Sequence, residues 1–146
     1  MITDPAILKS LVQQGGFLPK EEMLEVKKQK GSLMIGIPKE TSFQERRVAI
    51  VPEAVSLLVA NGHHVIIESN AGENSNFTDN EYSEAGAQIV QDRHSIYQCD
   101  IIFKVAPVTE EEVEMMSGHQ TLISALQISI QPKMILQKLM EKKITA

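Results

Sequence analysis

From Ser32 onward the chain alternates short apolar runs with amphipathic segments, and the two periods separate strands from helices. Leu33 to Ile37 reads as a buried strand that delivers a polar loop over residues 38 to 47. Val48 to Val51 is expected to be extended. Pro52 opens a helix that runs through Ala60, because proline suits the first helical turn, and Asn61-Gly62 supplies a left-handed stop. Val65 to Glu68 is the next strand. Thr78 and Glu81 have capping-box spacing at the head of a short helix closed by Gly86. Gln88 to Val90 is a weaker strand, followed by a helical turn near residues 92 to 97. Ile101 to Val105 is a strongly apolar strand. Thr109 and Glu112 set a second capping box on a helix that Gly118 is expected to end. Thr121 to Leu126 reads as a strand, and Pro132 to Lys142 as a helix with Met134, Ile135, Lys138 and Leu139 at helical spacing. Ile144 to Ala146 looks like the start of a further strand, so the fold is expected to continue past Ala146.

Strands apolar on both faces and separated by helices imply an α/β fold, a three-layer parallel sheet with helices on both faces, flavodoxin- or Rossmann-like, with right-handed crossovers. Residues 1 to 31 read differently. Ile7, Leu8, Leu11 and Val12 follow helical spacing, and Gly15-Gly16 breaks that helix. Pro19 opens a second segment, with Glu early and Lys late as the helix dipole favours, and Gly31 ends it. The expected organisation is therefore a helical N-terminal extension over 1–31 and one α/β domain over 32–146. The extension either packs on its own domain or covers a neighbouring subunit.

Composition narrows the function classes. With 42% apolar and 23% charged residues the 146-residue chain is an ordinary globular one, and its 4% aromatic content makes the core aliphatic. A net charge of −5 and the lack of a basic stripe interleaved with aromatics speak against nucleic acid. No run approaches the ~20 apolar residues of a membrane span. The single cysteine, Cys99, cannot form an internal disulfide and suits a reducing, cytoplasmic compartment. No metal-ligand spacing is present: His63 and His64 are adjacent and point to opposite faces of a strand, and His94 and His119 are isolated. Nor is there a glycine-rich turn between a strand and a helix that would let backbone amides approach a pyrophosphate.

The most informative stretch is Ile35-Gly36-Ile37-Pro38-Lys39-Glu40-Thr41, followed by Glu45-Arg46-Arg47-Val48-Ala49-Ile50-Val51-Pro52. A strand here hands over a loop at its C-terminal end, the edge at which open α/β sheets bind ligands. An arginine on that loop can grip a carboxylate through two parallel hydrogen bonds. Alternatively it is solvated, or paired with Glu40 or Glu45.

This stretch resembles the N-terminal domain shared by alanine dehydrogenase and the alpha subunit of nicotinamide nucleotide transhydrogenase. That family opens with a Gly-Ile-Pro-x-Glu strand, a loop ending Glu-x-Arg-Val-Ala, and a helix led by proline. The resemblance continues through Gly62-His63-His64-Val65, Ala71-Gly72 to Phe77, Asp79 to Gly86-Ala87, and Asp100-Ile101-Ile102-Phe103-Lys104-Val105 with Pro107. It covers about residues 33 to 146.

The resemblance implies the substrate-side domain of a two-domain oxidoreductase whose second domain carries the cofactor turn. The reaction it implies is L-alanine, NAD and water going to pyruvate, ammonia and NADH, with NADP as the other possible nucleotide. The isolated domain is expected to be inactive, and the whole protein to be a homo-oligomer acting on an amino acid or keto acid. Arg47 stands where the family has its substrate arginine. Lys104 matches the first lysine of the family's Lys-Val-Lys segment, and makes a second substrate-binding candidate. The second lysine of that segment is missing, because Val105 runs directly into Ala106-Pro107 in a loop one residue short. The family's proton-transfer histidine falls where Gln127 stands. A glutamine cannot exchange protons near neutral pH, but it can hydrogen-bond a carbonyl or a nicotinamide carboxamide, so Gln127 is a candidate cofactor contact. These departures bring in two alternatives: a transhydrogenase alpha-like subunit passing hydride between NAD(H) and NADP(H), or a non-catalytic regulatory or interaction domain that kept the fold.

Overall fold

A computed structural model describes residues 31–146; the helices expected in the extension over 1–31 fall on residues 1–30 and lie outside the described residues. The chain then follows β1 (Met34–Ile37), α1 (Pro52–Ala60), β2 (His64–Glu68), a 3₁₀ turn (Glu73–Ser75), α2 (Asp79–Glu84) and β3 (Gln88–Val90). It continues through α3 (Arg93–Ile96), β4 (Ile101–Phe103), α4 (Glu110–Met115), β5 (Thr121–Ile123) and α5 (Lys133–Glu141). The five strands pair in parallel in the order β3-β2-β1-β4-β5. The order reverses between β1 and β4, which makes the crevice above their C-terminal ends the topological switch point.

Strand periodicity sorts the core into two faces. Ile35, Ile37, Val65 and Ile67 point to one face and pack with Val55 of α1 and Tyr82 of α2. Ile102 and Leu122 point to the other and pack with Val113 of α4 and with Ile135 and Leu139 of α5. Ile66 on that second face meets Ile96 and Cys99, at and just after α3. Helices therefore cover both faces, as the sequence pattern implies. Each buried aliphatic side chain contributes roughly 1.5–3 kcal/mol of transfer free energy, so the two clusters supply most of the driving force. The Tyr82 hydroxyl donates to Ile50 O at 2.8 Å and satisfies its one polar atom, while burial pushes the phenol up to about 12.

Local chemistry fixes the helix ends. Thr78 caps α2 and Thr109 caps α4, each with the full reciprocal box to Glu81 and Glu112. In α1, Asn61 returns both its N–H and its side-chain amide to Leu57 O, at 3.1 and 2.7 Å. The expected role of Gly118 differs from what is found. Helix α4 ends earlier, at Met115, and Lys142 Nζ donates to Val113 O, Glu114 O and Met116 O at 2.8, 2.8 and 2.6 Å. A lysine from beyond α5 thus closes the helix. Gly118 instead makes the turn into β5 at φ +103°, where a Cβ would stand 2.9 Å from Lys142 O.

Three strand boundaries also differ. Val48 to Val51, expected only to be extended, joins no strand and leads into α1 with Val51 in the extended region. The runs starting at Ile101 and Thr121 leave the ladder at Phe103 and Ile123. Lys104 N still donates to Ile123 O at 2.8 Å, but the next amide, Val105 N, is taken by the Glu40 carboxylate at 2.6 Å. A side-chain acceptor there replaces the next ladder bond. At the far edge, Ile144–Ala146 contributes a single parallel bridge, Thr121 to Thr145, in place of a developed strand.

Gly36 sits inside β1 because no other residue fits. A Cβ there would come 2.5 Å from the Ile96 carbonyl and 3.1 Å from Cys99 Sγ. Gly36→Ala is expected to cost the domain about 1–3 kcal/mol through overpacking against α3. Urea unfolding of the full chain measures this, and an unchanged midpoint would mean α3 can move aside.

Candidate functional site

The C-terminal edge of the sheet carries a buried charge network. Lys104 leaves β4 with its side chain 0% exposed. Its Nζ lies 2.9 Å from Glu40 Oε2, on the loop after β1, and 3.4 Å from Glu112 Oε1, in the first turn of α4. The other oxygen of Glu40 accepts from Val105 N. The other oxygen of Glu112 accepts from Thr109 N at 2.8 Å in the capping box. Arg93, at the start of α3, donates to Glu112 Oε1 at 2.9 Å and to Lys39 O at 3.0 Å, and its Nε stands 3.9 Å from Glu68 Oε2. Glu68, at the end of β2, accepts from Lys39 N at 2.8 Å. Groups leaving four strands therefore converge on one knot of three carboxylates and two cations.

Tyr97 closes the floor of this knot. It is wholly buried, with the Arg93 guanidinium 6.0 Å from its ring centroid. Burial first, and the Glu112 charge second, push its phenol far above the ordinary range. A cleft of about 610 Å³ opens beside it, lined by Thr41, Arg93, Thr109 and the acidic face of α4.

The three site candidates occupy different settings on this edge. Lys104 faces two carboxylates and no solvent. Arg47 lies on the loop after β1 with its side chain 74% exposed. Its Nε and Nη2 donate to the two oxygens of Glu45 at 2.8 and 2.7 Å, so of the two partners the sequence offered, Glu45 holds it. The Arg47 hydrogen bonds lower the Glu45 carboxyl from 4.5 to about 2. The same loop is pinned farther on, where Ser75 Oγ donates to Arg46 O at 2.6 Å. Gln127 is exposed, four positions beyond β5, in the left-handed region at φ 47°. Its backbone carbonyl accepts from Ile130 N and Gln131 N at 2.8 and 3.0 Å, and its side-chain amide has no hydrogen-bond partner among the described residues. The structure therefore brings Lys104 into a cluster and leaves Arg47 and Gln127 on separate exposed loops of the same edge.

Sequence reasoning missed Glu112, Arg93 and Glu68 as members of this cluster. Glu112 reads as a capping-box residue, and capping-box glutamates are ordinarily exposed. The available signal was Lys104 itself. A lysine inside the apolar run Ile101–Val105 has to be buried, and a buried ammonium needs carboxylates. Among the described residues no group of three His, Cys, Asp or Glu is placed to hold a metal ion, and no helix is long and apolar enough to cross a membrane.

Residues 36–146 match the family model described as alanine dehydrogenase/PNT, N-terminal domain. The chain is 37% identical over 115 residues to the alanine dehydrogenase of Bacillus subtilis (strain 168), covering 78% of this chain and 30% of that protein. It is 38% identical over 112 residues to the alanine dehydrogenase of Staphylococcus saprophyticus, covering 77% and 30%. Among solved structures, an L-alanine dehydrogenase superposes with TM-score 0.73 at 33% identity, covering 77% of this chain and 31% of that one. A transhydrogenase from Sinorhizobium meliloti superposes with TM-score 0.67 at 26% identity, covering 76% and 33%. The chain thus spans about a third of the length of the proteins it matches.

Two measurements probe the electrostatics. Lys104→Met leaves Glu40 and Glu112 buried without their shared cation and is expected to cost about 3–5 kcal/mol, against about 1 kcal/mol for Lys138→Met, which removes two partly exposed surface pairs, with Glu110 and Glu114. Equal losses in denaturant unfolding would contradict the buried assignment. For Glu45, the folded pKa lies below the unfolded one, so its stabilising contribution is complete above about 4.5 and fades as pH falls towards about 2. Carboxyl NMR is expected to show Glu45 titrating near 2, and moving back towards 4.5 in Arg47→Ala.

Proposed function

Taking as premise that this chain belongs to the alanine dehydrogenase/PNT N-terminal domain family, we propose that it is the substrate-side domain of an NAD-dependent amino-acid dehydrogenase. The reaction is the oxidation of L-alanine with water to pyruvate and ammonia. The observation that carries this reading is the placement of Arg47. Its guanidinium stands on the loop after β1, which leaves the C-terminal edge of the sheet, and is the exposed cation of the three site candidates.

Arg47 receives the substrate carboxylate. A guanidinium fork suits that geometry, and Glu45 already occupies it as a carboxylate surrogate. Binding therefore exchanges one carboxylate for another on the same fork, at little desolvation cost to the arginine. Gln127 offers its amide from the loop after β5 to the keto oxygen or to the cofactor carboxamide, orienting a group without moving a proton. Lys104 holds its charge behind the crevice. NAD, when bound, supplies the hydride acceptor. In the proposed reading a second domain of the kind the family resemblance implies holds its pyrophosphate; among the described residues no glycine-rich strand-to-helix turn cradles one.

A second reading has its own observation. Gln127 and the short Val105-Ala106-Pro107 turn leave no group for amine proton transfer at the positions where the family resemblance puts a histidine and a lysine. A transhydrogenase alpha-like subunit, passing hydride between NAD(H) and NADP(H), needs neither.

Full-length protein assayed with NAD and L-alanine, and with NADH, pyruvate and ammonia, tests the first reading. Arg47→Ala is expected to lower kcat/KM for pyruvate about 10²-fold, the loss of a charge pair worth ~3 kcal/mol. Turnover that is indifferent to Arg47→Ala would sink the carboxylate role. Hydride exchange between NADH and an NADP analogue, without alanine turnover, would favour the second reading.

A further inference from the structure

We propose that Glu40 is a positioning residue for Arg47: its carboxylate clamps the loop after β1 to the loop after β4, and thereby sets the site without touching a substrate. The inference rests on the carboxylate-binding role proposed for Arg47. Glu40 spends both oxygens on one neighbouring segment, Oε2 on Lys104 Nζ at 2.9 Å and Oε1 on Val105 N at 2.6 Å. These two donors belong to consecutive residues at the point where β4 leaves the sheet. The loop carrying Arg47 is thus held at its start by Glu40 and near its end by Ser75 on Arg46 O. Between the two anchors the backbone is held by a local turn, Glu45 N donating to Ser42 O at 3.1 Å, with Phe43 92% exposed and Gln44 at φ 62°.

Stability alone is a poor explanation for the clamp. Burying an ion pair costs desolvation that its attraction roughly repays, and apolar replacements of such pairs are often neutral. What the arrangement fixes is geometry. A carboxylate taking a backbone N–H and an ammonium at once allows one spacing between the two loops. Glu112 and Arg93 extend the constraint by holding Lys104 Nζ and Lys39 O from the other side. Arg47, seven positions after Glu40, inherits that spacing.

The test uses full-length protein with two variants. Glu40→Asp keeps the charge and shortens the reach. Glu40→Gln combined with Lys104→Met removes the Glu40–Lys104 pair as a unit and leaves Glu112 paired with Arg93, which limits the loss of stability that either single change would bring. The expected result for each variant that folds is a KM for pyruvate raised about tenfold, a smaller fall in kcat, and an unchanged KM for the dinucleotide. Combining Glu40→Asp with Arg47→Ala is expected to add little to Arg47→Ala alone, because both act through one group. A folded variant with wild-type KM for pyruvate would overturn the proposal, as would full additivity. If the wild-type protein turns over no keto acid, the functional reading fails by itself, and amide exchange of residues 41–47 decides the clamp. Faster exchange in Glu40→Asp supports it, and unchanged exchange overturns it.

Discussion

A single buried ammonium organises the binding edge of this domain. Lys104 leaves the sheet where β1 and β4 diverge, and it has no access to water. An unpaired ammonium in that position would cost several kcal/mol, so its burial forces carboxylates to approach. Glu40 comes from the loop after β1 and Glu112 from the first turn of α4. Glu112 in turn brings Arg93, and Arg93 brings Glu68 and the Lys39 backbone. The loops above β1, β2, β3 and β4 are thereby tied at one point. An apolar core packs the sheet from both faces, but it does not specify how loops leave the strand ends. Directional, charge-assisted bonds do that here.

Much of the fold was legible because local rules and tertiary packing agree. Pro52 sets the start of α1, and Thr78 and Thr109 set the starts of α2 and α4 by the same capping chemistry that their spacing announces. Alternate strand residues separate into the two faces of the sheet. The boundaries that were not legible are those decided at long range. Nothing near Ile101 reveals that Val105 N will meet a carboxylate from residue 40, and that meeting is what turns the chain out of the ladder. Nothing near Met115 reveals that Lys142, more than twenty positions on, will occupy two of the helix's last carbonyls and that of Met116 just past its end.

The site was legible in the same partial way. The loop bearing Arg47 could be placed at the binding edge from strand direction alone, because parallel sheets present that edge. The partner of Arg47 could be narrowed to two glutamates but not chosen. Choosing needed the tight turn at Gln44, with φ 62°, which carries Glu45 back onto the guanidinium. Lys104 looked equivalent to Arg47 as a cation on the same edge. Burial separates them; the apolar run around Lys104 carries a signal of that burial, but which carboxylates meet the ammonium is decided by where α3 and α4 pack.

That separation gives the edge two electrostatic regimes. Behind the crevice, charges are neutralised pairwise in a dry setting, and moving one of them displaces all the others. In front of it, the Arg47 guanidinium is 74% exposed, so water screens its bond to Glu45 and can help a second carboxylate replace it. A site that must accept and release a small carboxylate needs the second property at the contact and the first property behind it. A contact as buried as Lys104 would release its ligand slowly, and a frame as exposed as Arg47 would not hold its shape. Under the proposed function, the same residue chemistry, one cation and one carboxylate, therefore serves both needs, and depth below the surface decides which.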